Sequence, residues 1–231
     1  MDFAKNEKYF YSTDTHFYVG IITLIVGALL AVLELFWFMF MPYQMVVGIA
    51  IAIVGAGIAF IPRSKRSNEK DLDGAVTEMT QGYEKQVTED LSLSRSLVRG
   101  IAPVVYGNYV YGEEHLLRRG KDDRKCRSSQ YTAAAILTTK HGLVVSVKTF
   151  SLIRDEVKES LHEILFSDLV GMTVRDDTYT LSDGSKIKNA HLVITAKEKE
   201  DLTIPVHHVI AIDRLCEDIL HHADAYKTSG N

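Results

Sequence analysis

Two long apolar segments stand near the start of the chain. Residues 17–40 contain one charged side chain, Glu34, and residues 43–61 contain none. A helix rises about 1.5 Å per residue and the bilayer core is about 30 Å thick, so a span needs about 20 apolar residues. Because only a short turn around Pro42 separates the two segments, they predict an antiparallel transmembrane helical hairpin.

Basic residues flank the predicted hairpin and are absent from its turn. Lys5 and Lys8 precede the first segment. The residues that follow the second segment are Arg63, Lys65, Arg66 and Lys70. Basic flanks are retained on the cytoplasmic side, which predicts a multi-pass protein of the cell (inner) membrane with both termini cytoplasmic. A cleaved signal peptide fits less well, because its apolar stretch is about 7 to 15 residues long and follows a basic start.

Small residues recur along both apolar segments, at Gly20 and Gly27 in the first and at Gly48 and Gly55 in the second. Such residues let two helix backbones approach closely in lipid. We favour a seam inside the hairpin over a face for homo-oligomer formation. Glu34 allows two interpretations, a headgroup contact or a hydrogen-bonded role in an assembly, because a carboxylate inside a span is costly.

A polar, mixed-charge segment follows the apolar part, over residues 63–99, and it contains one amphipathic stripe. The stripe consists of Leu72, Val76, Met79, Tyr83 and Val87. Spacings of three and four predict a helix with one apolar face, although Gly74 and Gly82 weaken it. We expect this face to dock onto the domain that follows, with self-association across a dimer as the alternative.

From about Gly100 the pattern changes to short strands. YTAAAILTT and LVVSVKTF flank the turn KHG, and Asp183-Gly184 is a strong hairpin signal. One apolar helical face then runs from about His208 to Tyr226; it consists of Val209, Ile212, Cys216, Ile219, Leu220 and Ala223. The predicted fold class is an α+β membrane protein whose six or seven antiparallel strands form a β-barrel or roll, capped by a C-terminal helix.

This order resembles the pleckstrin-homology and GRAM-like domains of bacterial membrane proteins. LTTKHGLVVSV looks like their central hairpin, EILFSDLVGMTV like the strand, turn and strand that follow, and LTIPV like the last strand before the helix. The resemblance covers residues 104–226. The chain lacks the tryptophan common in the C-terminal helix of the eukaryotic domains, since Trp37 is its only one. The resemblance therefore implies the fold and no phosphoinositide specificity.

A cluster of positive charge lies at the start of the predicted β domain, in a chain with 26 Lys and Arg against 30 Asp and Glu. Its members are Arg118, Arg119, Lys121, Arg124, Lys125 and Arg127. The resemblance implies a hairpin loop that meets anionic headgroups. Each Lys or Arg near an anionic leaflet contributes about 1 kcal/mol. Asp122 and Asp123 lower the local charge, so a solvated loop is the alternative. Nucleic acid is not an expected partner, because the whole chain is not basic.

No pattern in the sequence indicates catalysis, a cofactor or a metal. LHEIL does not have zinc-protease spacing, because Phe166 stands where a second histidine is needed. The adjacent pairs His207-His208 and His221-His222 point in different directions, so neither chelates alone. Cys126 and Cys216 are too few for a zinc site and are expected to be free thiols.

These observations divide the chain into four parts: a cytoplasmic segment (1–16), a transmembrane hairpin (17–62), a basic flank with a linker helix (63–99) and a β domain (100–231). We expect a non-enzymatic membrane-anchored module whose β domain binds anionic lipid headgroups or a protein partner. Two alternatives stand beside it. One is a two-span sensor-effector whose β domain binds a small anionic, nucleotide-like ligand. The other is an accessory subunit of a larger membrane complex.

Overall fold

The structure is a computed structural model, and it describes residues 1–11, 15–36, 42–64, 66–181 and 183–229. The chain forms two compact units, residues 2–70 and residues 71–231. The first unit contains only helices: α1 (Phe3–Tyr11), α2 (Thr15–Phe36) and α3 (Pro42–Ser64). Within it the Ser67 hydroxyl donates to the Asn6 side chain at 2.6 Å, which joins α1 to the segment after α3.

Helices α2 and α3 pack together through small residues, as the sequence predicted for a seam inside the hairpin. A Cβ added to Gly20 would lie 2.5 Å from the Ala59 nitrogen, and one added to Gly48 would lie 2.7 Å from the Ala31 nitrogen. Gly27 and Gly55 approach the backbones of Ala52 and Leu24 in the same way. Residue numbers rise along α2 as they fall along α3, so the helices are antiparallel.

One described helix, at Thr15–Leu33, is long and apolar enough to cross a membrane, and Met45–Ile61 is apolar but shorter. The predicted second span therefore corresponds to α3, a helix of 23 residues whose described apolar part is shorter than a span. Of the residues named from the sequence, Trp37 and Lys65 lie outside the described set, as do the side chains of Glu34, Pro42 and Arg63. Arg66 and Lys70 follow α3, as the sequence requires.

The predicted amphipathic stripe is divided between two helices, α4 (Glu69–Thr80) and α5 (Tyr83–Asp90). Gly82 has a positive φ of 74°, which ends one helix before the next begins. The docking prediction is confirmed, because Tyr83 and Val87 pack in a buried cluster with Ala135, Leu137 and Val144 of the β domain. A short 3-10 turn, Leu93–Arg95, leads from α5 towards the first strand.

The β region contains more strands than the six or seven predicted. Among the described residues the strands are β1 (Val104–Tyr109), β2 (Leu117–Arg119), β3 (Cys126–Ser128), β4 (Gln130–Thr138), β5 (Gly142–Ser151), β6 (Val157–Leu165), β7 (Leu169–Thr180), β8 (Lys186–Ala196) and β9 (Leu202–Val206). They form three antiparallel sheets with the orders β1-β4-β5-β6, β2-β3 and β7-β8-β9. The described strands form no closed barrel, so that part of the fold prediction was wrong.

The predicted turns are in place. Thr138 pairs with Leu143 around the KHG turn, and Gly184 has a φ of 78° between β7 and β8. Helix α6 (Ile210–Ser229) buries Ile212, Cys216, Ile219 and Ala223, as its predicted face requires, whereas Val209 lies before the helix and is exposed. The main core joins this face to side chains from the four-stranded and three-stranded sheets, including Val145 and Leu192.

Candidate anion-binding pocket

An open cavity of about 600 Å³ lies where the β2–β3 hairpin, the start of β8 and helix α4 meet. The residues that line it are Asp73, Val76, Thr77, Tyr109, Tyr111, Arg119, Arg124, Lys125, Cys126, Arg127, Tyr131, Lys186, Ile187, Lys188 and His207. Basic side chains and tyrosines dominate this lining. The pocket is therefore cationic and aromatic in character.

Arg127 is the most buried charge of the pocket, with a side chain only 1% exposed. Its guanidinium donates to Asp73 of α4 from Nε at 2.8 Å and from Nη2 at 2.6 Å. It also donates to Asp123 of the hairpin loop from Nη1 at 3.2 Å and from Nη2 at 2.7 Å. The Tyr109 hydroxyl donates to the same Asp73 carboxylate at 3.0 Å. Arg127 thus joins three elements of the second unit.

These contacts favour the charged forms of Asp73, Asp123 and Arg127. Hydrogen bonds from Arg127 lower the pKa of Asp73, and they lower the pKa of Asp123 to about 2. The two carboxylates in turn raise the pKa of Arg127. All three groups are therefore charged at neutral pH, and the positive charge of Arg127 is offset inside the protein.

Five further cations line the pocket, and we call them the cationic rim. They are Arg119, Arg124, Lys125, Lys186 and Lys188, and all are exposed. Arg119 donates to the Ser185 hydroxyl at 3.1 Å, which joins the β2–β3 hairpin to the turn before β8. In the part of the chain that the structure describes, no carboxylate forms an ion pair with Arg124, Lys125, Lys186 or Lys188. Four cations of the rim therefore have no carboxylate within ion-pair distance among the described residues.

Three tyrosines provide the aromatic part of the lining. Tyr109 and Tyr131 pack edge to face with centroids 5.2 Å apart, and Tyr111 stacks on Tyr179 at 6.1 Å. Burial raises the pKa of all three lining tyrosines, that of Tyr131 to about 12. They stay protonated at neutral pH, so their hydroxyl groups are neutral hydrogen-bond donors.

The two remaining titratable groups of the lining are neutral as well. Burial, helped by the charge of Lys125, lowers the pKa of His207, and burial raises the pKa of the Cys126 thiol to about 11. The thiol is therefore protonated at neutral pH and is a weak nucleophile. Among the described residues no group of three or more His, Cys, Asp or Glu side chains is placed to hold a metal ion. The arrangement is suited to binding an anion.

The structure separates the six basic residues that the sequence singled out. Arg119, Arg124, Lys125 and Arg127 line the pocket, whereas Arg118 and Lys121 lie outside its lining. Arg127 differs from the others because it is buried between carboxylates rather than exposed on a loop.

Sequence reasoning missed Lys186, Lys188 and Asp73. The two lysines are spaced by two residues directly after the Asp183-Gly184 turn, which places them on one face of β8. That spacing was visible in the sequence. The proximity of β8 to the β2–β3 hairpin was not, because it depends on the tertiary fold.

Comparison of the chain with protein-family models, with curated proteins and with solved structures found no significant match. The pocket is therefore the feature of this chain that indicates a function.

Proposed function

We propose that this chain is a non-enzymatic, membrane-anchored binding module, and that its β domain binds a phosphate-bearing anion in the pocket. The observation that supports this proposal is the cationic rim, in which four exposed cations have no carboxylate partner among the described residues. Phosphate groups are strong acceptors for Arg and Lys donors. Among the lining tyrosines, Tyr109 already donates to Asp73 and Tyr111 to the Cys126 carbonyl, so the Tyr131 hydroxyl is the donor that could add to the cations.

Anionic lipid headgroups are the ligand source that we favour. A domain tethered to the inner leaflet is held beside a surface of negative potential, where each nearby Lys or Arg contributes about 1 kcal/mol. Helices α2 and α3 would supply the tether as a two-span hairpin, with both termini cytoplasmic. Their small-residue packing and the high apolar content of Thr15–Leu33 support this arrangement.

The strand order also supports a pleckstrin-homology-like or GRAM-like domain as the proposed fold of the binding unit. Setting aside the β2–β3 hairpin, a four-stranded and a three-stranded antiparallel sheet follow one another along the chain, and α6 closes the series. The hairpin that contributes Arg119, Arg124 and Lys125 lies between β1 and β4, early in this order. Basic loops at a similar place serve headgroup binding in the domains that the sequence resembles.

A soluble, nucleotide-like ligand is the second candidate, and the tyrosines favour it. Tyr111 and Tyr131 line the pocket beside the cations as partly buried rings. A base stacks on such rings while its phosphates meet Arg and Lys. The chain would then be the sensor part of a two-span sensor-effector.

The test uses the full chain in nanodiscs. Discs of phosphatidylcholine alone are compared with discs that contain phosphatidylglycerol, and hydrogen exchange of residues 119–126 reports headgroup contact. Adenosine triphosphate is titrated into the neutral discs by calorimetry. Slower exchange on anionic discs supports the headgroup, and saturable nucleotide binding on neutral discs supports the sensor. If neither occurs, the proposal is wrong.

A matched pair of variants locates the binding. Arg124→Gln, Lys125→Gln and Lys188→Gln together remove three rim charges, and Lys85→Gln, Lys158→Gln and Arg175→Gln remove three exposed charges outside the pocket lining. We expect the first set to weaken ligand binding at least tenfold, because each lost cation costs about 1 kcal/mol. The second set is expected to change it less than threefold. Equal effects would mean that net charge, and not the pocket, determines binding.

A further inference from the structure

The carboxylate of Asp73 accepts hydrogen bonds from the same donors that a bound anion would use. It accepts from Nε and Nη2 of Arg127 and from the Tyr109 hydroxyl, and all three donors belong to pocket-lining residues. We propose that Asp73 is an internal competitor for the ligand: a phosphate group takes its place on Arg127 and Tyr109 and releases α4 from the pocket. This inference rests on the proposed function, because it concerns the same site.

The donor geometry is the first argument. Arg127 presents two N–H groups side by side to the Asp73 carboxylate, an arrangement that binds carboxylate and phosphate alike. The Arg127 side chain is only 1% exposed, whereas that of Asp73 is 49% exposed. A ligand can therefore reach the donors from the side of Asp73, by displacing the side chain that already faces solvent.

The balance of charge is the second argument. When Asp73 occupies Arg127, the cations of the rim are left without a carboxylate partner among the described residues. A phosphate with two negative charges would contact Arg127 and also lie near Arg124, Lys125 or Lys188, which Asp73 cannot do as a single tethered carboxylate. The tether favours Asp73, because it gives the carboxylate a high effective concentration. A ligand with several negative charges can therefore displace Asp73 from Arg127 in spite of the tether.

The position of Asp73 on α4 is the third argument. Val76 and Thr77 of the same helix line the pocket beside it, so replacement of Asp73 by a larger anion pushes on a wall made by α4. Leu72 and Val76 are buried, so the release costs packing as well as the ion pair. Helix α4 begins at Glu69, shortly after α3 ends at Ser64. Release of α4 from the pocket would therefore free the part of the chain that directly follows the apolar helices.

Reciprocity between ligand and helix makes the inference testable. The Asp73 carboxylate and the bound phosphate compete for the same donors. The factor by which the Asp73 contact weakens phosphate binding must therefore equal the factor by which bound phosphate weakens the Asp73 contact. The probe is pyrophosphate, titrated into the full chain in phosphatidylcholine nanodiscs by calorimetry. We expect Asp73→Asn to bind it about five- to tenfold more tightly than the parent chain, the lower range of such couplings. Glu78→Gln removes the same charge from an exposed position on α4 and is expected to change the affinity less than twofold.

Hydrogen exchange separates competition from simple electrostatics. Saturating pyrophosphate is expected to speed exchange of residues 74–80 about tenfold in the parent chain. It should have no such effect in Asp73→Asn, because the carboxylate that the ligand would displace is absent. Asp123→Asn also removes a carboxylate from Arg127, yet it is expected to leave the ligand-induced release of α4 intact.

The outcomes are distinct. Pyrophosphate binding with unchanged or slower exchange in α4 would show that Asp73 is a fixed part of the pocket wall, which overturns this inference and leaves the binding function standing. Absence of pyrophosphate binding in both the parent and Asp73→Asn would overturn this inference, whereas the binding function is decided by the anionic discs and the nucleotide titration. The exchange measurement on the parent chain needs no variant, so poor folding of Asp73→Asn would not leave the question open.

Discussion

The Tyr83 hydroxyl lies 2.8 Å from Oγ of Ser146, across a sequence separation of 63 residues. Both side chains are buried, and the Lys148 ammonium lies 5.1 Å from the centroid of the Tyr83 ring. The pair fixes α5 on β5. We expect Tyr83→Phe to lower the free energy of unfolding by about 1 kcal/mol, because it leaves a buried hydroxyl group without its partner.

Thiol labelling of the full chain in detergent measures this effect. Both cysteines are free, buried and in the second unit, so they react with a thiol reagent when that unit unfolds. The double variant Tyr83→Phe with Ser146→Ala serves as the control. If the two single effects add fully, the hydroxyl pair makes no contribution of its own.

His208 predicts a loss of stability as the pH rises above about 6.5. Its Nδ1 lies 2.9 Å from Oδ1 of Asp176 and its Nε2 lies 3.0 Å from Oδ2 of Asp213. Both ring nitrogens can donate only in the imidazolium form, and the carboxylates raise the pKa of His208. A raised folded-state pKa gives stability that is complete below the unfolded value of about 6.5 and is lost as the pH rises through the folded value.

The measurement is the pH dependence of unfolding between about pH 6 and pH 8, together with an NMR titration of the imidazole. His208→Gln is expected to flatten the dependence. His221→Gln is the control, since His221 is exposed and has no described partner. An NMR pKa at or below 6.5 for His208 would contradict the prediction.

The carboxylates on Arg127 predict the opposite behaviour in acid. The pKa of Asp73 is lowered and that of Asp123 is about 2, so both ion pairs persist well below neutrality. Lowered folded-state values give stability that is complete above about pH 4 and is lost as the pH falls through the folded values. Near-UV circular dichroism of the tyrosines should therefore show unfolding becoming easier from about pH 4 to pH 2. Arg127→Met should be less stable than the parent chain at pH 6, and its stability should depend less on pH in acid. An unchanged pH dependence would exclude these ion pairs as the source of the acid sensitivity.

The close packing of α2 and α3 predicts different effects for two identical substitutions. Gly27→Ala places a methyl group against the Ala52 backbone and the Gly48 carbonyl, whereas at Gly57 the nearest atom is Cδ1 of Ile61 at 3.7 Å. Alanine is the better helix former by about 1 kcal/mol. We therefore expect Gly57→Ala to be neutral or stabilising and Gly27→Ala to be destabilising. Denaturation of the full chain by dodecyl sulfate, followed by fluorescence of the only tryptophan, Trp37, measures both; equal behaviour would contradict the packing.

The sequence was informative where structure depends on local pattern. The KHG and Asp183-Gly184 turns, the apolar face around Ile212 and Ile219, and the docking of Tyr83 all follow from spacing and turn chemistry. Sheet closure does not, because it depends on which edge strands meet. The described strands accordingly form separate sheets and no closed barrel, where a barrel or roll was predicted.

The pocket was only half visible for a related reason. The basic cluster is local and was found, but Asp73 lies 54 residues before Arg127, and β8 is still further along the chain. No periodicity relates such distant positions. The acidic residues beside the cluster were a useful signal, since Asp123 does pair with a cation of the cluster. That cation is Arg127, and its burial could not be read from the sequence.

The β2–β3 hairpin has a consequence for how this domain can change. Strands β1 and β4 pair directly with each other, from Val104 opposite Ile136 to Tyr109 opposite Tyr131, so the four-stranded sheet closes without the hairpin that is inserted between them. The tip, residues 120–125, can therefore be lengthened, shortened or exchanged while the pairing of β1 with β4 is kept. Ligand preference can therefore change without loss of the pairing between β1 and β4, and related chains can be expected to vary most at this tip.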